Sequence, residues 1–471
     1  MSDLTTDTAF SRLESRMGSI RALLEETTVA PRRYGKVASV IGMLIECTGL
    51  EARVGELYQI EDVSGNDIQA EVVGLREERA LLMPYQPVNG LRIGCRVTRT
   101  GQTHSIPVGE EMLGRVVNEE GVPIDGKTGI FCCKRARIHR DPPSPFDRLP
   151  IKEPFRTGIR SLDALNSMGR GQRIGLFAGS GVGKSVLMGM IAQNSSAEVN
   201  VIALIGERGR EVQEFIQETL SEEGAARSVV VSVTSDQAAM SRIRGAYTAT
   251  AIAEYFRDQG KDVLLMMDSV TRVAMAQREI GLASGEPPTT KGYTPSVFAM
   301  LPKLLERPGR TDKGSMTAIY TVLVDQDDMN EPIADAVRSI LDGHIVLSRR
   351  LAHRNHFPAV DVLESVSRVM PKVVTEKQRR LSMRARELLA AYREAEELIQ
   401  IGAYVQGSSK KVDLSIRKMP ELESFLIQDM SEESSLDFWQ KLESILGTEE
   451  NRPDPGQSSP TAGTSQKSTK E

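Results

Sequence analysis

The sequence predicts an α/β protein in three parts: an N-terminal β-barrel, a central parallel sheet clad by helices, and a C-terminal helical layer. Three observations carry that expectation. Residues 31–100 hold five or six β-rich runs, such as YGKVASVIGMLIECTG, DIQAEVVGL and RALLMPYQ, spaced by about 8 to 14 residues with turn signals between them. After residue 150, continuous Val, Ile and Leu runs alternate with helical stretches, the pattern of strands buried on both faces. From residue 375 the periodicity is helical only.

Residues 1–30 are expected to hold an amphipathic helix, because Phe10, Leu13, Met17, Ile20 and Leu24 recur at steps of three and four. Packing on its own domain and docking to a partner or a membrane surface weigh equally there, since its charges are mixed. The 31–100 segment has no Phe or Trp and no basic surplus, so it reads as an assembly collar rather than an oligonucleotide-binding barrel. The sheet domain is assigned to 101–374. RIGLFAG leads into KSVLMGMIAQ, VNVIALIG into EVQEFIQETL, and SVVVSV into MSRIRGAYTATAIAEYFRDQ; KDVLLMMD and SMTAIYTVLVD follow. In the helical layer, 375–447, Leu381, Ala385, Leu388, Tyr392, Ala395 and Ile399 share a face. Residues 448–471 are rich in Pro, Ser, Thr and Gly and are expected to be disordered.

The whole chain is 471 residues, 40% apolar and 26% charged, with 59 Lys+Arg against 64 Asp+Glu. A net charge of −5 and 4% aromatics argue against a nucleic-acid partner. No apolar run approaches the ~20 residues of a membrane span. The first residues lack the basic and apolar regions of a secretory leader, so a cytoplasmic protein is expected. Cys47, Cys95, Cys132 and Cys133 lack metal or redox spacing and are expected to be reduced.

The strongest chemical signal is Ala178-Gly179-Ser180-Gly181-Val182-Gly183-Lys184-Ser185, followed by Val186, between an apolar strand and a helix. Glycines let backbone N–H groups turn inward around phosphate oxygens, and the helix N-terminus adds its dipole. Lys184 would reach the β- and γ-phosphates and Ser185 would offer its hydroxyl to Mg²⁺. Ala178 stands where a glycine is usual and requires a negative φ. Asp268 ends the strand Leu264-Leu-Met-Met-Asp268 and suits a carboxylate that holds Mg²⁺ through water. Glu207, at the end of the next strand after the loop in Ile205-Gly-Glu-Arg-Gly-Arg210, can orient and polarise the attacking water. A plain helix N-cap role is the alternative for Glu207.

The GSGVGKS loop, IGERGRE and LLMMDSVTRVAMAQRE together resemble the catalytic subunits of rotary ATPases, whose central domain is RecA-like. GEPPTTKGYTPSVFAMLPKLLERPGR, VLVDQDDMNEPIADAVRSILDGHIVLSR and FPAVDVLESVSRVMP narrow the resemblance to the flagellar protein-export ATPases and their relatives, the virulence type III secretion ATPases. The Lys291-Gly-Tyr-Thr-Pro-Ser296 wording favours the flagellar branch. The resemblance implies that Glu207 is the catalytic carboxylate and that Arg208 lies near the γ-phosphate. It implies that Arg368 is an arginine finger reaching the neighbouring subunit's nucleotide, where a planar cation stabilises spread phosphoryl charge. Phe357 would stack on adenine, with Tyr404 a second candidate for that pocket, and Arg272 would sit beside the metal-binding Asp268.

The same resemblance implies an ATP-hydrolysing homohexamer at the inner membrane of the flagellar base, with Mg²⁺ as cofactor. Its expected partners are a stator-like regulator at the N-terminal helix, a stalk-like coiled-coil protein at the ring axis, an export gate, chaperones and export substrates. The acidic loop Asp325-Gln-Asp-Asp-Met-Asn330 would face that axis. The alternatives are a virulence secretion ATPase and a catalytic subunit of a proton-translocating ATP synthase; a ring helicase fits the charge poorly.

Overall fold

The computed structural model describes residues 34–101, 104–324, 328–430, 432 and 437–447. The expected N-terminal helix, the expected disordered tail and residues 325–327 of the acidic loop lie outside the described residues. The chain divides into two compact units at residues 103/104.

In the first unit six strands close a barrel: β1 (Tyr34–Ile41), β2 (Leu44–Thr48), β3 (Leu57–Glu61), β4 (Asp67–Arg76), β5 (Arg79–Pro84) and β6 (Arg96–Arg99). Their order around it is β1-β2-β5-β4-β3-β6. Alternation decides which side chains turn inward: Ile68, Ala70 and Val72 of β4 are buried with Ile45, Ile60, Leu82 and Val97. The first β-rich run is two strands, not one. Gly42 takes φ +61°, so the chain reverses in two residues and β1 pairs antiparallel with β2.

The second unit is built on a nine-stranded sheet. Its members include β7 (Arg115–Val117), β8 (Arg173–Ala178), β9 (Val199–Glu207), β10 (Ser228–Thr234), β11 (Asp262–Asp268), β12 (Ser315–Leu323), β13 (Gly343–Val346) and β14 (Val366–Ser367). The order is β14-β13-β8-β12-β11-β9-β10-β7, with the short strand Gly309–Arg310 also on β12. From β13 to β7 every pairing is parallel, and β14 adds antiparallel at the edge. Every residue of β11 is buried, which is why it reads as one unbroken apolar run.

Helices pack on the sheet. They include α1 (Arg160–Leu165), α2 (Lys184–Asn194), α3 (Gly209–Glu214), α4 (Ala239–Asp258) and α5 (Val270–Ser284). A π-helical turn, Phe215–Thr219, continues α3. Gly189 of α2 meets this turn so closely that a Cβ there would lie 2.3 Å from Thr219 Cγ2. The helical layer consists of α6 (Glu376–Gln400), α7 (Lys410–Leu426) and α8 (Phe438–Leu446). Helix α6 starts at a capping box: Thr375 accepts from the Gln378 N–H, and Gln378 accepts from the Thr375 N–H. Ala385, Leu388 and Ala395 of its expected apolar face are buried. Ala385 and Leu388, with Leu422, Phe425 and Leu442, join one core with α1 and α2.

Candidate active site

Strand β8 leaves the sheet at Ala178, and residues 179–183 turn the chain into α2. Gly181 and Gly183 take φ +75° and +85°, so these two positions carry the conformational requirement of the loop. Ala178 is buried at the end of β8 and is not among the described non-glycine residues with positive φ, so its side chain costs nothing there. Val182 turns into the core, while Val186 faces the cavity above the loop.

That cavity, ≈600 Å³, opens at the carboxyl ends of the strands. Gly179, Ser180, Lys184 and Ser185 line it from the loop, Glu207 and Arg208 from the end of β9, and Asp268 from the end of β11. Lys184 Nζ donates to Asp268 Oδ1 at 2.6 Å and stands 3.6 Å from Glu207 Oε1. Three side chains 84 and 61 residues apart therefore meet because parallel β8, β9 and β11 end on one side of the sheet. Burial and the Asp268 charge push the Glu207 carboxyl up to about 7, against the opposing pull of Lys184.

Two buried polar atoms in this cavity lack a hydrogen-bond partner: Glu207 Oε1 and Arg272 Nε. Unmet polar atoms beside glycine-framed backbone are what a polar, charged ligand would satisfy. Arg272, on α5, packs its side-chain stem on Gly206, where a Cβ would approach it to 2.9 Å. The loop, Lys184 and the Ser185 hydroxyl form a cradle for phosphate, and Ser185 with Asp268 supplies the oxygen donors that Mg²⁺ prefers.

The remaining expected site residues lie at differing distances from this centre. Arg208 is at the rim, its side chain 81% exposed and paired with Glu211 at 2.9 Å. The Phe357 ring lies over the loop: a Cβ on Gly183 would stand 3.4 Å from its edge. Arg368 is exposed at the sheet edge beyond β14, with its N–H on Asp342 O, and does not line the cavity of its own chain. Tyr404 is not brought to the cavity. Its hydroxyl donates to Ser409 O and Asp413 Oδ1 within the α6–α7 connection.

Sequence reading missed Thr321. Its hydroxyl, fully buried on β12 between β8 and β11, donates to Asp268 Oδ1 at 2.7 Å. The available signal was weak, a hydroxyl residue near the end of a strand that also carries Ser315, Thr317 and Tyr320. Phe215 and Val212, which wall the cavity from the α3 side, carried no local signal at all.

Comparison with known proteins gives three family matches along the chain. Residues 158–367 match the nucleotide-binding domain of the ATP synthase alpha/beta family, and residues 37–101 match its beta-barrel domain. Residues 374–444 match the T3SS EscN ATPase C-terminal domain. The flagellum-specific ATP synthase of Bacillus subtilis is 54% identical over 90% of this chain and 98% of that protein. The type 3 secretion system ATPase of Xanthomonas euvesicatoria is 50% identical over 85% of this chain and 91% of that protein. The assembled ATPase EscN, in complex with its central stalk EscO from enteropathogenic E. coli, superposes with a TM-score of 0.82. It is 44% identical and covers 88% of this chain and 100% of that one.

Proposed function

The chain belongs to the ATP synthase alpha/beta family, as an ATPase of its flagellar and type III secretion branch, and from that premise we propose that it powers flagellar protein export. The observation that carries the reading is Lys184, within 2.6 Å of Asp268 and 3.6 Å of Glu207 at the end of a glycine loop. ATP binds with its phosphates on residues 178–186 and Lys184 leaves Asp268 for the β- and γ-oxygens. Ser185 and Asp268 would hold Mg²⁺, which would supply charge to offset what develops on the phosphate.

Glu207 then orients the attacking water and takes its proton, while Lys184 and Arg208 hold the γ-phosphate. Arg368, exposed and remote from its own cavity, serves the nucleotide of the next protomer in a homohexamer; that the EscN relative is described as assembled supports this. The same relative's complex with a central stalk supports a stalk-like partner at the ring axis, and the acidic 325–330 loop is the segment we assign to it. Export gate, chaperones, export substrates and a stator-like regulator at the N-terminal helix complete the reading. The enzyme works in the cytoplasm against the inner membrane.

A concentration series of ATPase activity beside a size measurement tests this reading. Turnover per chain is expected to rise as rings form; activity already maximal in the monomer would refute the shared site. The virulence branch is the second reading, favoured by the 50% identity to the Xanthomonas secretion ATPase. Loss of motility in a deletion strain supports flagellar export, and loss of effector secretion with motility intact supports the other. A synthase subunit would instead co-purify in a ring of two different chains.

A further inference from the structure

Gln428 follows α7 in the helical layer and is 3% exposed. Its side-chain amide bonds to the nucleotide domain from both ends. Nε2 donates to Gly158 O at 2.9 Å, and Oε1 accepts from the Arg160 N–H at 2.9 Å. Its own backbone N–H donates to Phe357 O at 2.9 Å. The Gly158 turn presses on the last residue of the phosphate-loop helix α2, where a Cβ would stand 2.2 Å from Asn194 Cβ. Arg160 secures the same join by donating from Nε to Phe425 O at 2.8 Å and by pairing with Glu432.

One residue thus joins the end of α7, the start of α1 and the loop that carries Phe357, whose ring overlies Gly183. Phe357 is 39% exposed, so packing alone fixes its ring weakly and its backbone anchor matters more. We propose that Gln428 is a positioning residue for the purine base: by holding the Phe357 backbone it lets the helical layer set the affinity for the adenine ring. This rests on the reading of Phe357 as the base platform. A partner that shifts α7 then alters nucleotide affinity with no contact to the cavity.

The test uses the full chain and four proteins: wild type, Gln428→Ala, Phe357→Ala and the double variant. KM and kcat for Mg-ATP are measured beside the affinity for inorganic tripolyphosphate, which has no base. Gln428→Ala keeps the backbone bond to Phe357 O but frees that backbone from Gly158 and Arg160; it is expected to raise KM for ATP about tenfold, the scale of the lost buried side-chain bonds, with kcat within about twofold. Tripolyphosphate affinity stays unchanged, and the double variant shows no increase beyond Phe357→Ala alone. If Gln428→Ala does not fold, Gln428→Met is read in its place, since it keeps the length of the side chain and loses both of its hydrogen bonds.

Equal losses for ATP and tripolyphosphate would overturn the proposal, because they report a general structural role. So would an unchanged KM in Gln428→Ala while Phe357→Ala raises it, which leaves the base platform standing. An unchanged KM in Phe357→Ala would overturn the platform itself, and the proposal with it.

Discussion

At Glu207 the surroundings oppose the chemistry asked of the carboxylate. Burial and Asp268 raise it to about 7, so in the free enzyme it is largely protonated below that pH. A neutral acid cannot take the proton of water, so kcat/KM is expected to fall on the acid side of about pH 7 and level off above it. A profile flat from pH 5 to 8 would remove Glu207 as base. Glu207→Gln is expected to lower turnover by a factor on the order of 10² to 10⁴ while nucleotide affinity stays within a few fold. Thr321→Val keeps shape and removes the donor to Asp268 Oδ1. A bond to a charged group contributes about 1.5 kcal/mol, so the Mg²⁺ concentration at half-maximal activity should rise about tenfold with ATP affinity preserved. Lys184, Glu207 and Asp268 were legible in the sequence because each ends or follows a strand whose apolar run announces itself. Thr321 and Gln428 were not, since their partners lie 53 and 270 residues away and only tertiary contact supplies them.

At the scale of elements, the apolar runs located the strands of the central sheet because parallel strands buried on both faces have no polar alternation to confuse the period. The hairpin at Gly42 was missed for a complementary reason: its two-residue reversal is flanked by apolar residues that continue the run. The join between α4 and the 307–310 segment was equally silent. Arg307 is fully buried there, its guanidinium paired twice with Glu254 at 2.9 and 2.6 Å and once with Ile138 O. A single charged residue in LLERPGR looks like a surface position until the fold closes over it. Removing one partner of such a pair leaves a buried charge, and the ion pair left to Glu254 among the described residues is Arg140 at 3.5 Å. Arg307→Met is therefore expected to destabilise the second unit by about 3 kcal/mol or more in denaturant unfolding. Adding Glu254→Gln should recover part of that loss. A double variant no better than the single would show that packing, not the stranded charge, sets the cost.

For the whole molecule, the decisive question is where Arg368 acts. In its own chain it is exposed beyond the sheet edge, with its side chain outside the cavity that holds Lys184 and Glu207. An arginine that stabilises the transferring phosphoryl group must reach the phosphate, so it reaches a different chain's phosphate or none. Two inactive variants distinguish these cases. Arg368→Ala keeps an intact cavity and offers no finger; Glu207→Gln offers a finger and has no working carboxylate. Each alone is expected to be slow by a factor on the order of 10² or more. Mixed in equal amounts and allowed to assemble, they place an intact cavity beside an intact finger at about one interface in four, so activity well above either variant returns. Restored activity should appear only at concentrations where the mixture forms rings by light scattering. A mixture that assembles yet stays as slow as its components would place Arg368 outside catalysis, because no arrangement of complementary protomers had rescued it.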